Sequence, residues 1–260
     1  MSPKSIVPSE VGLWMIHGNL QTPKVWQPIT TQLHQAVSPE LNLSIFLEDL
    51  WASPGESLKE WAALFCQRVH PHAFKSRILL GYSLGGRLAF HALLHQPELW
   101  QGAIIISADS GLTSECDRRN CLKKDNVWSI QLLHDNWDNL IQEWNSLPVF
   151  CGRQPSYSAL EKDYSRLKIS KAFQNFSKGH QFNLLSNLQN LNIPVLYISG
   201  VEDEKYCQIG QKLAHHCPSI THRIILNSGH RVPWENRNNF ISIITHFIEQ
   251  VLNPKIQTEQ

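Results

Sequence analysis

Short apolar runs recur along the 260-residue chain, and each ends in a turn or a polar group. Residues 12–16 run into His17-Gly18-Asn19, and residues 44–49 carry Ile45-Phe46-Leu47 into acid before a Pro54-Gly55 turn. Runs of this length between turn signals predict buried parallel strands. Further strands are predicted at 78–80, 103–107, 194–200 and 222–226. Between them the apolar spacing becomes helical, at 26–37, 57–69, 84–94 and 209–215. Ser57 followed by Glu60 forms a capping box, and His95-Gln96-Pro97 stops the third helix. A last helix over 238–251 gathers Phe240, Ile243, Ile244, Phe247, Ile248 and Val251 on one side.

Strand and helix alternate as in an α/β, doubly wound, mostly parallel sheet until about residue 110, and then the rhythm breaks. From 111 to 191 there is no strong strand. Trp128, Leu132, Leu133, Trp137, Leu140, Ile141 and Trp144 show helical spacing, and a second helical stretch is expected from about 158 to 191. The expected organisation is one core made of 1–110 and 192–260, with 111–191 inserted as a helical cap. Residues 253–260 read as a loose tail.

Composition narrows the possibilities. A formal net charge of +1 gives no reason to expect nucleic acid or an anionic membrane as partner. The first residues lack a signal-peptide core, no apolar run is long enough to cross a bilayer, and the 6 cysteines are dispersed without a Cys-x-x-Cys pair. A soluble cytoplasmic protein with reduced thiols is the expectation. His70-Pro71-His72 and His215-His216-Cys217 are adjacent residues that point in different directions on a regular element, so neither metal nor other cofactor is expected. The 9 tryptophans exceed what a core of this size needs, which leaves some to line a pocket.

The chemistry centres on Gly81-Tyr82-Ser83-Leu84-Gly85, which follows a predicted strand and opens a predicted helix. Small residues around the serine allow a sharp turn that lifts the hydroxyl clear of the sheet. A serine alone is a weak nucleophile and needs a base, an acid to orient the base, and donors for a developing oxyanion. Asp203, on the loop after the strand ending in Gly200, is the first candidate for the acid, with Glu202 and Glu204 as neighbours. His230 is the base, placed after the last strand with Gly229 to let the chain turn. The backbone N–H groups of Asn19 and Leu84 are the expected oxyanion donors. Arg87, one turn into the helix after Ser83, can make a bidentate contact with a carboxylate.

With His17-Gly18, Gly81-Tyr82-Ser83-Leu84-Gly85-Gly86, Asp203 and Ser228-Gly229-His230 in this order, the chain resembles the α/β-hydrolase superfamily over nearly its whole length. Arg87, Gly111-Leu112 with Arg118 and Asp125, and Trp144 before Pro148-Val149-Phe150 narrow the likeness. They resemble the 2-succinyl-6-hydroxy-2,4-cyclohexadiene-1-carboxylate synthases of menaquinone and phylloquinone biosynthesis. That resemblance implies a lyase that eliminates pyruvate from a small polycarboxylate, with Ser83 abstracting a proton and Tyr82, Arg87, Arg118 and Trp144 contacting substrate. The sequence departs from the pattern at Cys121 and Gln174, where the family has arginines, and at Ser53-Pro54-Gly55. Arg118, Arg119, Lys171 and Lys178 are the neighbouring bases. A carboxylesterase or thioesterase using the same triad for acyl transfer is the alternative activity. A small-ligand-binding protein that keeps the fold without catalysis is the other reading.

Overall fold

The computed structural model describes residues 9–38, 41–52 and 55–253. The Ser53-Pro54 part of the predicted turn, residues 254–260 of the predicted tail and residues 1–8 lie outside the described residues. Strands β1 (Ser9–Ile16), β2 (Leu41–Glu48), β3 (Ser76–Tyr82), β4 (Gly102–Ile106), β5 (Val195–Gly200) and β6 (Ile220–Ile225) form one sheet. Their order is β2-β1-β3-β4-β5-β6, and every pairing is parallel.

Successive side chains of a strand point to opposite faces, and the four inner strands use both. Leu13 and Met15, Ile78 and Leu80, Ile104 and Ile106, and Leu196 and Ile198 pack with helices α1 (Gln27–Ala36) and α10 (Arg237–Leu252). Trp14 and Ile16, Leu79, Ala103 and Ile105, and Val195 and Tyr197 pack with α2 (Leu58–Val69) and α3 (Leu84–His95). A strand covered on both faces reads as a continuous apolar run, which is why these strands were legible. The predicted burial of β2 is corrected: it is an edge strand, and most of its positions are only half-buried. Ser57 caps α2 by accepting from the Glu60 N–H at 3.1 Å, a contact worth about 1 kcal/mol. The Glu60 carboxylate reaches back to the Glu56 N–H, one residue before the position that a capping box uses.

Between β4 and β5 lie α4 (Glu115–His134), α5 (Trp137–Asn145), α6 (Arg166–Asn175) and the single turn α7 (Leu185–Leu188). The expected helical run from 128 to 144 is interrupted because Asn136 caps a new helix by accepting from the Asn139 N–H. The expected stretch from 158 to 191 is also broken. Ser177 accepts from the Gly179 N–H and donates to Asp125, so the chain turns after α6 instead of continuing as helix.

The register levels the strand ends. Ile16 lies opposite Gly81, Gly81 opposite Ile105, and Ile105 opposite Tyr197. The loops that follow, carrying Asn19, Ser83, Asp109 and Asp203, therefore open on one rim of the sheet, where open α/β sheets build their sites. The two remaining helices, α8 (Glu204–His216) and the short α9 (Val232–Glu235), begin just after Asp203 and just after His230.

Candidate active site

Ser83 sits at φ 53° and ψ −111° between β3 and α3. This backbone conformation is rare for a residue with a Cβ and costs on the order of 1–3 kcal/mol, so the surroundings must impose it. The Ser83 N–H donates to the Ile106 carbonyl at 2.9 Å, which pins the turn to β4. The flanking glycines allow the close approach: a Cβ on Gly81 would lie 2.4 Å from the Gly85 carbonyl oxygen, and one on Gly85 would lie 2.4 Å from that of Ile16.

The Ser83 hydroxyl lies 3.2 Å from His230 Nε2, and His230 Nδ1 lies 2.6 Å from Asp203 Oδ2. With Asp203 ionised, Nδ1 carries the proton and Nε2 is left to accept from the hydroxyl. Asp203 and His230 are 4% and 3% exposed. Glu202 points away, paired with Arg153, and is exposed, so the structure separates Asp203 from its acidic neighbour. Gly229 is not the residue that makes the turn before His230, as the sequence suggested. Asn227 takes the left-handed conformation at φ 53°.

His17 belongs to the scaffold of the first loop. Its Nδ1 donates to the Gly18 carbonyl at 2.8 Å and its Nε2 accepts from the Leu50 N–H at 3.3 Å. Burial lowers its pKa to about 4, which keeps it neutral at pH 7. Gln21 holds the same loop, accepting from the Gly18 N–H at 2.8 Å and donating to the Tyr157 hydroxyl. Asn19 and Leu84 border the same cavity as Ser83, with Leu84 at the N-terminus of α3.

That cavity has a volume of about 370 Å³. Tyr82, Trp144, Phe150, Phe173, Phe176 and Tyr206 supply aromatic wall, and Ser83 and His230 lie within it. Tyr82 packs its ring against His230 at 5.5 Å, and burial raises its phenol pKa well above the ordinary value. Four cationic side chains, Arg87, Lys124, Lys178 and Lys205, face one carboxylate, Asp125. Arg87 is 8% exposed and donates to the Gln181 side chain at 3.1 Å and the Phe176 carbonyl at 2.6 Å. Burial lowers its pKa while Asp125 opposes the shift, and burial raises that of Asp125.

Arg118 does not reach this cavity. Its guanidinium donates to the Leu112 and Thr113 carbonyls and stacks over Phe182 at 4.7 Å, because the chain entering α4 offers it free carbonyls first. Arg119 is exposed and 3.8 Å from Glu115 one helical turn away. Cys121 does line the cavity, whereas Gln174 turns aside and donates to the Ser129 hydroxyl. Of the neighbouring lysines, Lys178 lines the cavity and Lys171 does not.

Sequence comparison agrees with this geometry. The model of the family described as alpha/beta hydrolase fold matches residues 57–237, more than half of the chain. The chain belongs to the alpha/beta hydrolase fold family. The 2-succinyl-6-hydroxy-2,4-cyclohexadiene-1-carboxylate synthase of Yersinia pestis bv. Antiqua (strain Nepal516) is 25% identical over 255 residues, covering 95% of this chain and 92% of that protein. The synthase of the same name from Photorhabdus laumondii subsp. laumondii is 26% identical over 242 residues, covering 90% and 85%. Among solved structures, MenH from S. aureus has a TM-score of 0.82 at 22% identity, covering 96% of this chain and 97% of that one.

In this alpha/beta hydrolase fold enzyme the sequence left several cavity residues unassigned. Lys205 stands two positions after Asp203 at the same strand end, and that position was its one readable signal. Lys124, Tyr157 and the Phe173–Phe176 pair come from the inserted segment and Tyr206 from the first turn of α8, and periodicity does not distinguish a wall residue from a packed one. Among the described residues no helix is long and apolar enough to cross a membrane.

Proposed function

We propose that the protein is a 2-succinyl-6-hydroxy-2,4-cyclohexadiene-1-carboxylate synthase, a carbon–oxygen lyase of quinone biosynthesis that releases pyruvate. The observation that carries the reading is the joining of a hydrogen-bonded Ser83–His230–Asp203 chain to a cavity in which cations outnumber carboxylates. In this account His230 takes the Ser83 proton and Asp203 stabilises the imidazolium. The serine oxygen then removes a proton from the carbon beside a substrate carbonyl. The Asn19 and Leu84 N–H groups hold the enolate oxygen; its collapse breaks the carbon–oxygen bond to the enolpyruvyl group, whose oxygen takes the proton held by His230, and the released enol tautomerises to pyruvate. An oxyanion donor of this kind is worth about 3–4 kcal/mol of transition-state stabilisation.

Arg87 binds a substrate carboxylate, Tyr82 and Trp144 provide wall, and the segment 111–191 acts as the cap that shields the enolate from water. The small-molecule polycarboxylate is the partner in this reading, and the setting is the cytoplasm. Arg118 is not retained as a substrate contact. The same triad also suits acyl transfer by a carboxylesterase or thioesterase, for which the strained turn at Ser83 is the supporting observation. Pyruvate release from the pathway's cyclohexene intermediate, measured beside turnover of neutral acyl esters, distinguishes the two. The lyase reading expects pyruvate release that Ser83→Ala and Arg87→Ala both abolish or reduce at least about a hundredfold. Robust Ser83-dependent ester turnover without pyruvate release would overturn it.

A further inference from the structure

Asp109, just beyond the end of β4, is shared by two lysines from different parts of the fold. Its Oδ2 lies 2.9 Å from Lys178 Nζ and 3.5 Å from Lys205 Nζ, and its Oδ1 accepts from the Gly111 N–H at 3.0 Å. Lys178 comes from the turn after α6 and Lys205 from the first turn of α8. Both border the cavity that holds Ser83. Both oxygens of the carboxylate are thus engaged, while each ammonium carries three donors, more than the one that it can direct at Asp109.

Two ammonium groups on one carboxylate oxygen leave a net positive charge in a partly desolvated place, an arrangement that costs stability unless an anion completes it. The proton affinities record the imbalance. Burial opposes the charge on Lys178, but the charge and hydrogen bond of Asp109 together with Tyr206 and Lys205 raise the pKa, whereas burial and then Lys178 lower that of Lys205. The Tyr206 ring, under Lys205 Nζ at 5.1 Å, also packs on His230 at 4.7 Å and links this corner to the catalytic histidine. Asp125, the acid that lines the cavity, is engaged by the Ser177 hydroxyl.

We propose that Lys178 and Lys205, clasped by Asp109, form an anion subsite of the Ser83 cavity that binds a carboxylate of the substrate other than the one held by Arg87. This deepens the lyase reading and rests on it for the identity of the substrate. Lys205 supplies the approachable charge, its side chain 55% exposed, and Lys178 at 20% fixes Asp109 and the far side of the subsite. Ammonium groups bind as point charges, so a phosphate would satisfy the same pair, and the test must separate the two anions.

The test uses Lys205→Gln, Lys205→Arg, Lys178→Gln and, as a charge control outside the cavity, Lys171→Gln. Calorimetry measures binding of propane-1,2,3-tricarboxylate, of its triamide and of inorganic phosphate, and steady-state assays give kcat and KM for pyruvate release. Lys205→Gln is expected to weaken tricarboxylate binding and raise KM about tenfold or more, with kcat changed less than about threefold. Lys205→Arg restores both to within about threefold, and Lys171→Gln changes neither. Lys178→Gln can disturb folding because it frees Asp109, so Lys205→Gln decides the matter.

Equal tricarboxylate binding by wild type and Lys205→Gln would overturn the subsite, as would triamide binding as tight as the tricarboxylate or failure of the wild type to bind it. Preferential binding of phosphate would overturn the carboxylate assignment. Failure of the wild type to release pyruvate would overturn the lyase reading alone, because the binding comparison still tests the lysines.

Discussion

The strained turn at Ser83 makes a prediction that separates catalysis from folding. At φ 53° and ψ −111° the residue pays for its Cβ in every folded molecule, on the order of 1–3 kcal/mol. Ser83→Ala keeps the Cβ and therefore the strain, while Ser83→Gly removes it. Glycine loses more chain entropy on folding, by about 0.5–1 kcal/mol, which offsets part of the relief. The net expectation is that Ser83→Gly is more stable than Ser83→Ala by about 0.5–2 kcal/mol. At about 2–4 °C per kcal/mol for a domain of this size, that is a difference in Tm of about 1–8 °C. Both variants lack the hydroxyl, so the comparison isolates the backbone. Calorimetric melting of the two proteins at one pH and concentration is the assay. Equal melting temperatures, or a Ser83→Gly protein less stable than Ser83→Ala, would refute the argument that the turn is held under strain for function.

Other predictions follow from the buried groups. Burial lowers the pKa of both His17 and His91 from 6.5 to about 4, with the Arg87 and Lys59 charges assisting at His91. Between those values the unfolded chain binds protons that the folded chain excludes. Stability is therefore full above about pH 6.5 and falls as acid is added, by about 2 kcal/mol per histidine at pH 5. Urea midpoints at pH 7 and pH 5 check this, and a His91→Gln variant is expected to show a shallower fall. Arg231 is 1% exposed, donates to the Asn145 side chain and the Arg153 carbonyl, and stacks 3.5 Å over Phe150. Arg231→Leu strands those acceptors and is expected to cost about 2–4 kcal/mol in chemical denaturation. Arg118→Gln is expected to leave KM within about twofold of wild type, while Arg87→Gln raises it about tenfold or more, in the same steady-state assay.

What the sequence made legible follows from how each feature is encoded. The inner strands and the Ser83 turn are local patterns, apolar runs and small residues at fixed offsets, and the structure has them within a few residues of the expected limits. The pairing of Asp203 with His230 across 27 positions was legible only as strand-end placement, and it is the sheet register that brings the two together. The edge position of β2 and the broken helices between β4 and β5 depended on single caps and on which strand has a neighbour, which periodicity does not record. The cations of the cavity were the least legible. Arg118 and Lys178 both stand near the expected positions, but backbone carbonyls at 112–113 capture the first, and Asp109 draws the second to the cavity.

Ser83 is proposed to act as a base in an elimination. The most direct measurement follows pyruvate and the intact mass of the enzyme in the same quenched samples during turnover of the cyclohexene intermediate. Pyruvate is expected in proportion to substrate consumed, with Ser83 unmodified throughout. An acyl adduct accumulating on Ser83, or consumption of substrate without pyruvate, would contradict that role.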